Sequence, residues 1–415
     1  MRKSNRLTIF ILIAMLAGVI LGYVVHTQSS PAFIKSFSTN IKLLTTIFLR
    51  LVQMIIAPLV FSTLVVGIAK LGDLKTVGRV GGKAMLWFVS ASLASLLLGM
   101  VLVNFFKPGA GIDLSNADVT GARDLVGKTQ EFSIQKFIEH VFPKSVIEAM
   151  ANNEILQLVI FSIFFGIATA ALGDKAKVVV KGLDAVAHVI LRMVGYVMNF
   201  APLGVFGAIA AVIATKGLEI FVFYGKYLLY FITGIGILWI LLLVVGLIVL
   251  GKRLPELVKR IFPPLIIAFS TTSSEAVFPK LTEELEKFGC KDKIVAFVLP
   301  LGYSFNLDGS MMYMTFASIA IAQAYGIQLD FGTQITMLLV LMLTSKGIAG
   351  VPRASLVVVT ATCAMFNIPP EGIALILPID HFCDMFRTAT NVLGNALATS
   401  VVSKWENSLE PAITE

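Results

Sequence analysis

A cluster of charged and polar residues lies near the carboxyl end of an otherwise apolar chain, in residues 379–395. If this stretch is a helix that turns by about 100° per residue, its polar side chains fall within one arc of roughly 100°. These are Asp380, Asp384, Arg387, Thr388, Asn391 and Asn395. Charged groups are costly at membrane depth, where they usually face a partner or a water-filled cavity on a substrate or ion path. The stretch therefore predicts a transport site; the alternative is an Asp–Arg pair that only holds helices together.

The composition places this cluster in a membrane protein. Of the 415 residues, 57% are hydrophobic and 14% are charged, and the mean hydropathy is +0.88. This is too apolar for a soluble domain and predicts a polytopic membrane protein. The net charge of +8 does not indicate nucleic acid as a partner, because the basic residues cluster between apolar stretches.

Six apolar stretches fit conventional membrane spans in the first part of the chain. They lie near 7–25, 37–69, 82–107, 143–172, 178–214 and 218–250. Basic residues precede the first stretch and follow the second, fourth and sixth, which assigns the N-terminus to the cytoplasm and the polar segment 108–142 to an extracellular loop. We expect the C-terminus to be cytoplasmic as well. Residues 198–206, which contain Pro202, are expected to interrupt the fifth span.

The apolar pieces become short and interrupted after the sixth span. Residues 261–269 are too few to cross a bilayer, and they lead into the hydroxyl residues 270–274 and then Glu275. Irregular backbone inside lipid has to be satisfied by protein or water. We therefore predict a re-entrant hairpin near 256–290, with its turn in the run of hydroxyl residues.

A second short apolar piece, residues 331–343, leads into the glycine-rich segment 344–355. The glycines and Pro352 break a helix that is again too short to cross a bilayer. We predict a second re-entrant hairpin near 331–367. Two interrupted hairpins, each followed by a long helix with polar groups, are typical of an inverted repeat.

The span between the two hairpins is itself interrupted. Residues 294–324 form an apolar stretch with a predicted fracture at 302–310, where Asn306 and Asp308 lie among glycines. A fracture releases backbone carbonyls, and released carbonyls beside a carboxylate suit a dehydrated cation. The alternative is that Asn306 and Asp308 only cap a broken helix.

Taken in order along the chain, these motifs resemble those of the glutamate transporter family, also called the dicarboxylate/amino acid:cation symporters. They are the block LVQMIIAPLVFSTLVVGI at 51–68, the serine-rich hairpin, NLDG at 306–309, SKGIAGVP at 345–352 and the pattern DxxxDxxRTxxN from residue 380. The resemblance covers essentially the whole chain. It indicates a prokaryotic member of the family in the inner (plasma) membrane.

The resemblance implies an all-α polytopic membrane protein with eight transmembrane helices and two re-entrant hairpins, built as an inverted repeat and working as an elevator in a homotrimer. By position, residues 1–80 and 143–215 would form the trimerisation scaffold. Residues 81–107 and 216–415 would form the moving transport domain. Within it the resemblance places span six, the hairpin near 256–290, span seven near 291–325, the hairpin near 331–367 and span eight near 369–405.

The resemblance also implies a substrate site. Arg387 would hold the side-chain carboxylate of the substrate, Asp384 its ammonium group and Asn391 its α-carboxylate. The rest of the pocket would be formed by Ser273, Ser274, Ser310, Thr388, Gly350 and Val351. A guanidinium matches a carboxylate as a two-pronged donor. We therefore expect a symporter for aspartate or glutamate, with C4-dicarboxylates such as succinate as the alternative, and with no cofactor.

The sequence departs from sodium-coupled members of the family where those members bind sodium. An Asp late in the last helix is Asn395 here, and a Tyr and a Thr of the third span are Phe88 and Ala91. A neutral amide removes a full negative charge from a site for a hard cation. We therefore expect proton coupling and no bound metal, with sodium coupling as the alternative. The candidates for carrying or balancing the coupling ion are Glu275, Asn306, Asp308, Arg353, Asp380, Asp384 and Asn395.

Two other classes of protein fit the sequence less well. A channel needs a continuous pore, whereas two hairpins around one charged pocket favour occlusion of a solute. An intramembrane hydrolase needs a nucleophile beside a base. Ser273 and Ser274 have no histidine near them in sequence, and His381 lies on a different predicted element. The expectation is therefore a transporter and not an enzyme.

Overall fold

The computed structural model describes residues 3–71, 74–110, 141–218, 224–345, 354–377 and 379–412. These residues are almost entirely helical, and the only β-type pairing among them is an isolated antiparallel bridge between Cys290 and Leu409. The prediction of an all-α protein is confirmed for this part of the chain. Gly350, Val351 and Arg353, which were predicted to belong to the site, lie outside the described residues.

The helices are numbered in chain order. Those of the first 250 residues are α1 (Lys3–Gln28), α2 (Pro31–Leu71), α3 (Leu74–Phe106), α4 (Val146–Ala151), α5 (Ile155–Leu172), α6 (Lys177–Val197), α7 (Ala201–Lys216) and α8 (Gly225–Leu250). They are followed by α9 (Leu254–Thr271), α10 (Phe278–Phe288), α11 (Asp292–Phe305), α12 (Asp308–Ala324), α13 (Phe331–Thr344), α14 (Ala354–Met365) and α15 (Asp380–Trp405).

Several helical stretches have the length and composition of membrane spans. Among the described residues, five are long and apolar enough to cross a membrane: Ile9–Gln28, Pro31–Ala69, Lys75–Phe106, Ile155–Lys216 and Gly225–Thr271. The chain is therefore an integral membrane protein. The predicted interruption of the fifth span is confirmed, because a 3₁₀ turn at Met198–Phe200 separates α6 from α7. Pro202 lies in the first turn of α7, where its missing N–H leaves no helical hydrogen bond unmade.

The first hairpin differs in detail from its prediction. Helix α9 continues through Ser270 and Thr271, whose hydroxyls donate to the carbonyl oxygens of Ile266 and Ile267 at 2.8 and 2.7 Å. Because these hydroxyls are satisfied inside the helix, the turn is confined to residues 272–274, where Thr272 is left-handed with φ +52°. The turn therefore lies within the run of hydroxyl residues, as predicted, but it is shorter than the run.

Packing divides the described helices into two groups. Helices α1, α2, α5, α6 and α7 pack mainly on one another, whereas α15 packs against α3, α8, α9, α11 and α12. The two groups meet where α2 and α5 contact α11 and where α1 and α7 contact α9. The polar helix α15 therefore lies inside the second group and is not the element that joins the two.

Within the first group, α1 and α7 approach closely at glycines. A Cβ atom added to Gly22 would lie 2.8 Å from both the carbonyl oxygen of Ala210 and the Cβ atom of Ile213. Small residues at helix contacts let backbones come close, which is how membrane helices gain packing energy. Gly22 is therefore required by the α1–α7 contact, whereas a Cβ atom on Gly78 of α3 would meet nothing within 4 Å.

We expect Gly22→Ala to lower the free energy of unfolding by about 1–3 kcal/mol, because the added methyl group overpacks the α1–α7 contact. Gly78→Ala is the matched control, and it should be neutral or slightly stabilising because alanine favours a helix over glycine. Thermal unfolding of the purified variants in detergent measures the difference. Equal melting temperatures for the two variants would show that α1 and α7 are not packed as described.

Candidate functional site

The site forms where α15 packs against the interruption between α11 and α12. Helix α11 ends at Phe305 and α12 begins at Asp308, so only Asn306 and Leu307 leave helical geometry. The predicted fracture is confirmed but is shorter than 302–310. A short interruption between two helices leaves their ends facing one another and exposes backbone groups to a neighbouring helix.

Glycines allow α15 to reach these groups. A Cβ atom on Gly309 would lie 2.8 Å from the Cα atom of Arg387, and one on Gly394 would lie 3.0 Å from the amide nitrogen of Asn306. Both distances are shorter than side chains tolerate. The two glycines therefore place the interruption directly on the polar face of α15.

Arg387 is the centre of the site. Its side chain is 2% exposed, and its Nη2 atom lies 2.8 Å from Oδ1 of Asp384 and 3.4 Å from Oδ1 of Asp380. Its Nε atom also donates to Oδ1 of Asp384, at 3.2 Å. Thr388 donates to the same Asp384 oxygen at 3.3 Å. Four residues of the predicted polar arc, Asp380, Asp384, Arg387 and Thr388, are thus connected, and in this set a buried cation faces two carboxylates.

The two carboxylates differ in their surroundings. The side chain of Asp384 is 31% exposed, whereas that of Asp380 is 7% exposed. Asp380 accepts a hydrogen bond of 2.8 Å from the hydroxyl of Tyr313 on α12. Asp384 therefore lies at the mouth of the site and Asp380 lies behind it.

Tyr313 belongs to the site but was missed by sequence reasoning. Its ring lies under the guanidinium of Arg387, with 4.0 Å from Cζ to the ring centroid, and the residue is fully buried. A cation over an aromatic face is stabilised most when both are shielded from water. The available signal was the position of Tyr313 one turn after Ser310, on the same face of α12.

One nitrogen of Arg387 is left for a ligand. The Nη1 atom is buried and has no hydrogen-bond partner among the described residues. A buried donor without a partner costs about 1–3 kcal/mol or more, and the cost is larger for a charged group. Because Nη1 and Nη2 form one edge of the guanidinium, an anion with two oxygens matches the site.

Asn391 supports α12. Its Oδ1 atom accepts from the backbone N–H groups of Gly309 and Ser310 at 2.9 and 3.3 Å, and its Nδ2 atom donates to the Ser310 hydroxyl at 3.1 Å. The residue before α12, Leu307, provides no side-chain cap. Asn391 therefore satisfies the first N–H groups of α12 from a different helix, as an N-cap residue would.

Three of the residues predicted to hold a coupling ion, Asn306, Asp308 and Asn395, come together below this cap. Asn306 donates to Oδ2 of Asp308 at 3.0 Å, and both residues are fully buried. Asn395 is 1% exposed, and neither atom of its amide has a hydrogen-bond partner among the described residues. A Cβ atom on Gly302 would lie 3.1 Å from Cγ of Asn395 and 3.6 Å from the ring of Phe88. Phe88 therefore closes this cluster with an apolar ring.

Ala91 lies on α3 beside the same interruption. It is 8% exposed and precedes Ser92, which donates to the carbonyl oxygen of Phe305 at 3.5 Å. The third helix therefore offers one hydroxyl to the interruption from Ser92, and apolar groups from Phe88 and Ala91.

The first hairpin touches the site from another side. Tyr303 of α11 donates to the carbonyl oxygen of Ser274 at 2.9 Å, and Ser273 accepts from the N–H of Ala276 at 3.2 Å. The rings of Phe269 and Phe386 pack edge to face, with 5.0 Å between their centroids. This contact packs the first hairpin against α15. Among the described residues, no hydrogen bond or ion pair joins Ser273 or Ser274 to Arg387.

Glu275 points to a different neighbour. Its side chain lies near the side chain of Gln53 on α2, in the other group of helices. The structure therefore does not place Glu275 with the Arg387 cluster. Among the described residues there is also no group of three or more His, Cys, Asp or Glu side chains suited to a metal ion.

An ion cluster beyond the end of α15 fixes that helix to α3. Glu406 lies 2.9 Å from Arg79 and 2.7 Å from Lys83, and Lys83 also donates to the carbonyl oxygen of Trp405. Partial burial alone would raise the pKa of Glu406, but the hydrogen bonds and charges of Arg79 and Lys83 outweigh it and lower that pKa. The carboxylate therefore stays ionised at neutral pH.

Comparison with known proteins gives a consistent result. A family model described as the sodium:dicarboxylate symporter family matches residues 7–405. The chain is 39% identical to a proton/sodium-glutamate symport protein of Bacillus caldotenax, over 95% of this chain and 93% of that protein. It is 41% identical to a C4-dicarboxylate transport protein of Rhizobium etli, over 98% of this chain and 90% of that protein. A C4-dicarboxylate transport protein of Bacillus subtilis is 39% identical, over 99% and 96%.

We expect Asn391→Leu to lower the free energy of unfolding by about 1–3 kcal/mol, because it leaves two buried N–H groups of α12 without an acceptor. Asn391→Asp is the matched control, since it keeps the acceptor oxygen and adds a negative charge at a helix N-terminus, where it is favourable. Thermal unfolding in detergent compares the two. If Asn391→Leu has the same melting temperature as the wild type, Asn391 does not cap α12.

Proposed function

The chain belongs to the sodium:dicarboxylate symporter family, and we propose that it is a secondary active symporter that takes up acidic amino acids, aspartate or glutamate. The observation that carries this proposal is the buried guanidinium of Arg387, with its Nη1 atom unpartnered among the described residues. A buried cation is costly at membrane depth, and binding a neutral solute would not offset that cost. The relatives compared above are named as transport proteins, so no catalysed reaction is proposed.

The shape of the guanidinium supports a carboxylate as its ligand. Nη1 and Nη2 present two parallel donors, which a carboxylate accepts as a bidentate pair. Phosphate would also fit such a fork, but a single buried cation beside two carboxylates leaves too little positive charge for it. A carboxylate with one negative charge is the better match.

Asp384 supports an amino acid over a plain dicarboxylate. It lies 2.8 Å from Arg387, on the partly exposed side of the site, and a carboxylate there can accept hydrogen bonds from an ammonium group. Thr388, which donates to Asp384, orients that carboxylate. The ammonium group of aspartate would bind at Asp384 while its side-chain carboxylate binds at Arg387.

A C4-dicarboxylate is the second candidate substrate. Relatives 39–41% identical to this chain are named as C4-dicarboxylate transport proteins, and Arg387 would hold one end of such a molecule equally well. Its second carboxylate would then approach Asp384, and the two negative charges would repel one another. This repulsion is why we favour the amino acid.

Protons are the coupling ion that the buried cluster favours. The amide of Asn395 brings no charge, and Phe88 and Ala91 bring no oxygen, to the place where an ion would bind beside Asp308. Sodium prefers several oxygen ligands, with carboxylates among them. One buried carboxylate with amide neighbours is better suited to gaining and losing a proton than to holding sodium.

An elevator movement of one group of helices against the other fits the packing. We propose that residues 1–80 and 143–215 form the scaffold, and that residues 81–107 and 216–415 form the moving domain with the two re-entrant hairpins. In the contact between α2 and α11, Gly67 faces Ala296, and a Cβ atom added to Gly67 would lie 3.3 Å from the Cβ atom of Ala296. Small residues at such a contact present little to obstruct sliding.

A homotrimer is supported by the exposed face of α6. This helix carries ionisable side chains at Lys181, Asp184, His188 and Arg192, and the side chain of His188 is 74% exposed. Ionisable groups in a membrane span are costly when they face lipid. We propose that further copies of the chain cover this face, in the plasma membrane, with both termini in the cytoplasm.

The proposed function predicts that proteoliposomes containing the protein accumulate aspartate when a proton gradient is imposed, and not when a sodium gradient is imposed at constant pH. Aspartate, glutamate and succinate are compared under each gradient. Arg387→Gln should reduce aspartate uptake at least about tenfold, the equivalent of about 1.4 kcal/mol of lost binding. Arg387→Lys should also fail, because it keeps the charge but loses the two-pronged donor.

Lys175→Gln removes an exposed cation far along the chain from α15 and serves as the control, with uptake at the wild-type level. Aspartate accumulation by Arg387→Gln at the wild-type rate would contradict the proposal. Accumulation driven by sodium alone would contradict only the choice of coupling ion.

Asp384→Asn separates the two candidate substrates. It removes the charge that would hold an ammonium group while preserving the size of the side chain. We expect aspartate affinity to fall about ten- to a hundredfold, or about 1.4–2.8 kcal/mol, and succinate affinity to be unchanged or improved because a repulsive charge has gone. Isothermal titration of the purified variants with both solutes measures this. Unchanged aspartate affinity would contradict the assignment of Asp384.

A further inference from the structure

The first turns of α3 are held to the end of α15 by one carboxylate. Glu406 lies directly beyond α15, and its side chain is 5% exposed. It accepts from Nε and Nη2 of Arg79 at 3.2 and 2.9 Å, and it lies 2.7 Å from Nζ of Lys83. We call these three residues the Glu406 clamp. Its two cations belong to successive turns of α3, so the carboxylate contacts that helix at two levels.

Further contacts beside the clamp fix α3 against α15. Lys83 also donates to the carbonyl oxygen of Trp405 at 2.8 Å. The ring of Trp405 packs edge to face against that of Trp87, one turn farther along α3, with 6.2 Å between the ring centroids. An arginine that donates twice to a carboxylate has a defined geometry. The position of α3 along α15 is therefore set by directional bonds as well as by apolar packing.

The segment that carries Glu406 is also attached on its other side. The carbonyl oxygen of Ser408 accepts from the N–H of Lys291 at 3.1 Å. The N–H of Glu410 donates to the carbonyl oxygen of Gly289 at 2.8 Å, and Gly289 has φ +105°. Residues 406–410 therefore lie between α3 and the connection from α10 to α11, and they bind both.

A very short link joins α3 to the other group of helices. Helix α2 ends at Leu71 and α3 begins at Leu74, so the link contains only Gly72 and Asp73. Three steps between consecutive Cα atoms reach at most about 11 Å. Helix α2 packs mainly on the first group and α3 mainly on the second. A displacement of one group along the other therefore puts tension on the first turns of α3.

The Glu406 clamp lies where this tension acts. Arg79 and Lys83 both lie within the first three turns of α3. Apolar packing is not directional, so it resists sliding of α3 along its neighbours less than the ion pairs do. The clamp passes the tension from α3 to α15, the helix that carries Arg387.

We propose that the Glu406 clamp keeps α3 attached to α15 while the two groups of helices move past one another. The inference rests on the elevator movement proposed above and adds the residues that hold the moving domain together at its junction with the scaffold. The clamp binds α3 on both sides of residue 80, where the proposed scaffold segment ends.

The clamp should control the rate of movement and not the binding of the solute. About five turns of α15, or roughly 28 Å, separate Glu406 from Arg387. Loss of the clamp therefore leaves the contacts of Arg387 with Asp384 and Asp380 in place. A slower uptake with an unchanged dissociation constant is the result that the proposal requires.

Glu406→Gln tests the proposal, because the amide keeps the size of the side chain and removes the charge that binds Arg79 and Lys83. In proteoliposomes, under the ion gradient that drives the wild type, the initial rate of aspartate uptake should fall at least about fivefold, the equivalent of about 1 kcal/mol. The dissociation constant of aspartate, measured by isothermal titration, should stay within about threefold of the wild-type value, or about 0.6 kcal/mol.

Glu410→Gln is the matched control, because it makes the same change four residues farther along the same segment. The side chain of Glu410 is 64% exposed and lies 3.3 Å from Lys291. An exposed ion pair of this kind contributes little. The control should take up aspartate at the wild-type rate.

A longer link between α2 and α3 separates tension from a loss of stability. Insertion of Gly-Ser-Gly-Ser between Gly72 and Asp73 lets the start of α3 move farther from α2, because such a linker is flexible. Added to Glu406→Gln, the insertion should restore uptake to within about twofold of the wild type, and alone it should leave uptake within the same range. A variant that is slow only because it is less stable gains nothing from a longer link.

The outcomes separate this inference from the function on which it rests. Wild-type uptake by Glu406→Gln, or a reduced rate that the longer link does not restore, would overturn the proposed role of the clamp. If Glu406→Gln does not fold, the double variant Arg79→Gln, Lys83→Gln removes the same ion pairs from the α3 side, and the same fall and the same restoration are expected. If the wild type accumulates no acidic solute under any ion gradient, the proposed function itself is overturned.

Discussion

The burial of one guanidinium group constrains the rest of this structure. Arg387 lies inside a membrane protein with 2% of its side chain exposed, and a lone charge there would be prohibitively costly. Asp380 and Asp384 offset the charge, and Tyr313 covers the face of the group. These partners come from two helices, so α12 and α15 must pack closely along the site. Gly309 and Gly394 allow that approach, and the interruption before α12 gives α15 free backbone groups to bind.

Two kinds of buried polar cluster follow from this arrangement. Around Arg387 the groups are charged and one side is open to solvent through Asp384. Around Asn395 the groups are mostly amides, and the cluster is closed by Phe88. The first cluster contains a cation that can bind an anion. The described residues of the second cluster contribute amide dipoles and no cation. The proposed binding of an acidic solute at the first cluster rests on this difference.

Much of the site could be predicted from the sequence, because helical periodicity places Asp380, Asp384 and Arg387 on one face whatever they contact. Interruptions were predictable as well, since glycine and asparagine near an apolar stretch weaken a helix. Periodicity places Tyr313 one turn after Ser310 but does not identify its role, because an aromatic residue in an apolar helix has the same local pattern whether it packs in the core or covers a cation. The extension of α9 through Thr271 was also not predicted. A hydroxyl that donates to a carbonyl oxygen of its own helix does not alter the pattern of apolar residues along the sequence.

The most direct measurement is a structure of the purified protein with aspartate bound, determined by cryo-electron microscopy in lipid nanodiscs. We predict a carboxylate of aspartate within hydrogen-bond distance of Nη1 and Nη2 of Arg387, and its ammonium group at Asp384. Aspartate bound elsewhere, with the contacts of Arg387 unchanged, would contradict the role of this guanidinium as the substrate ligand.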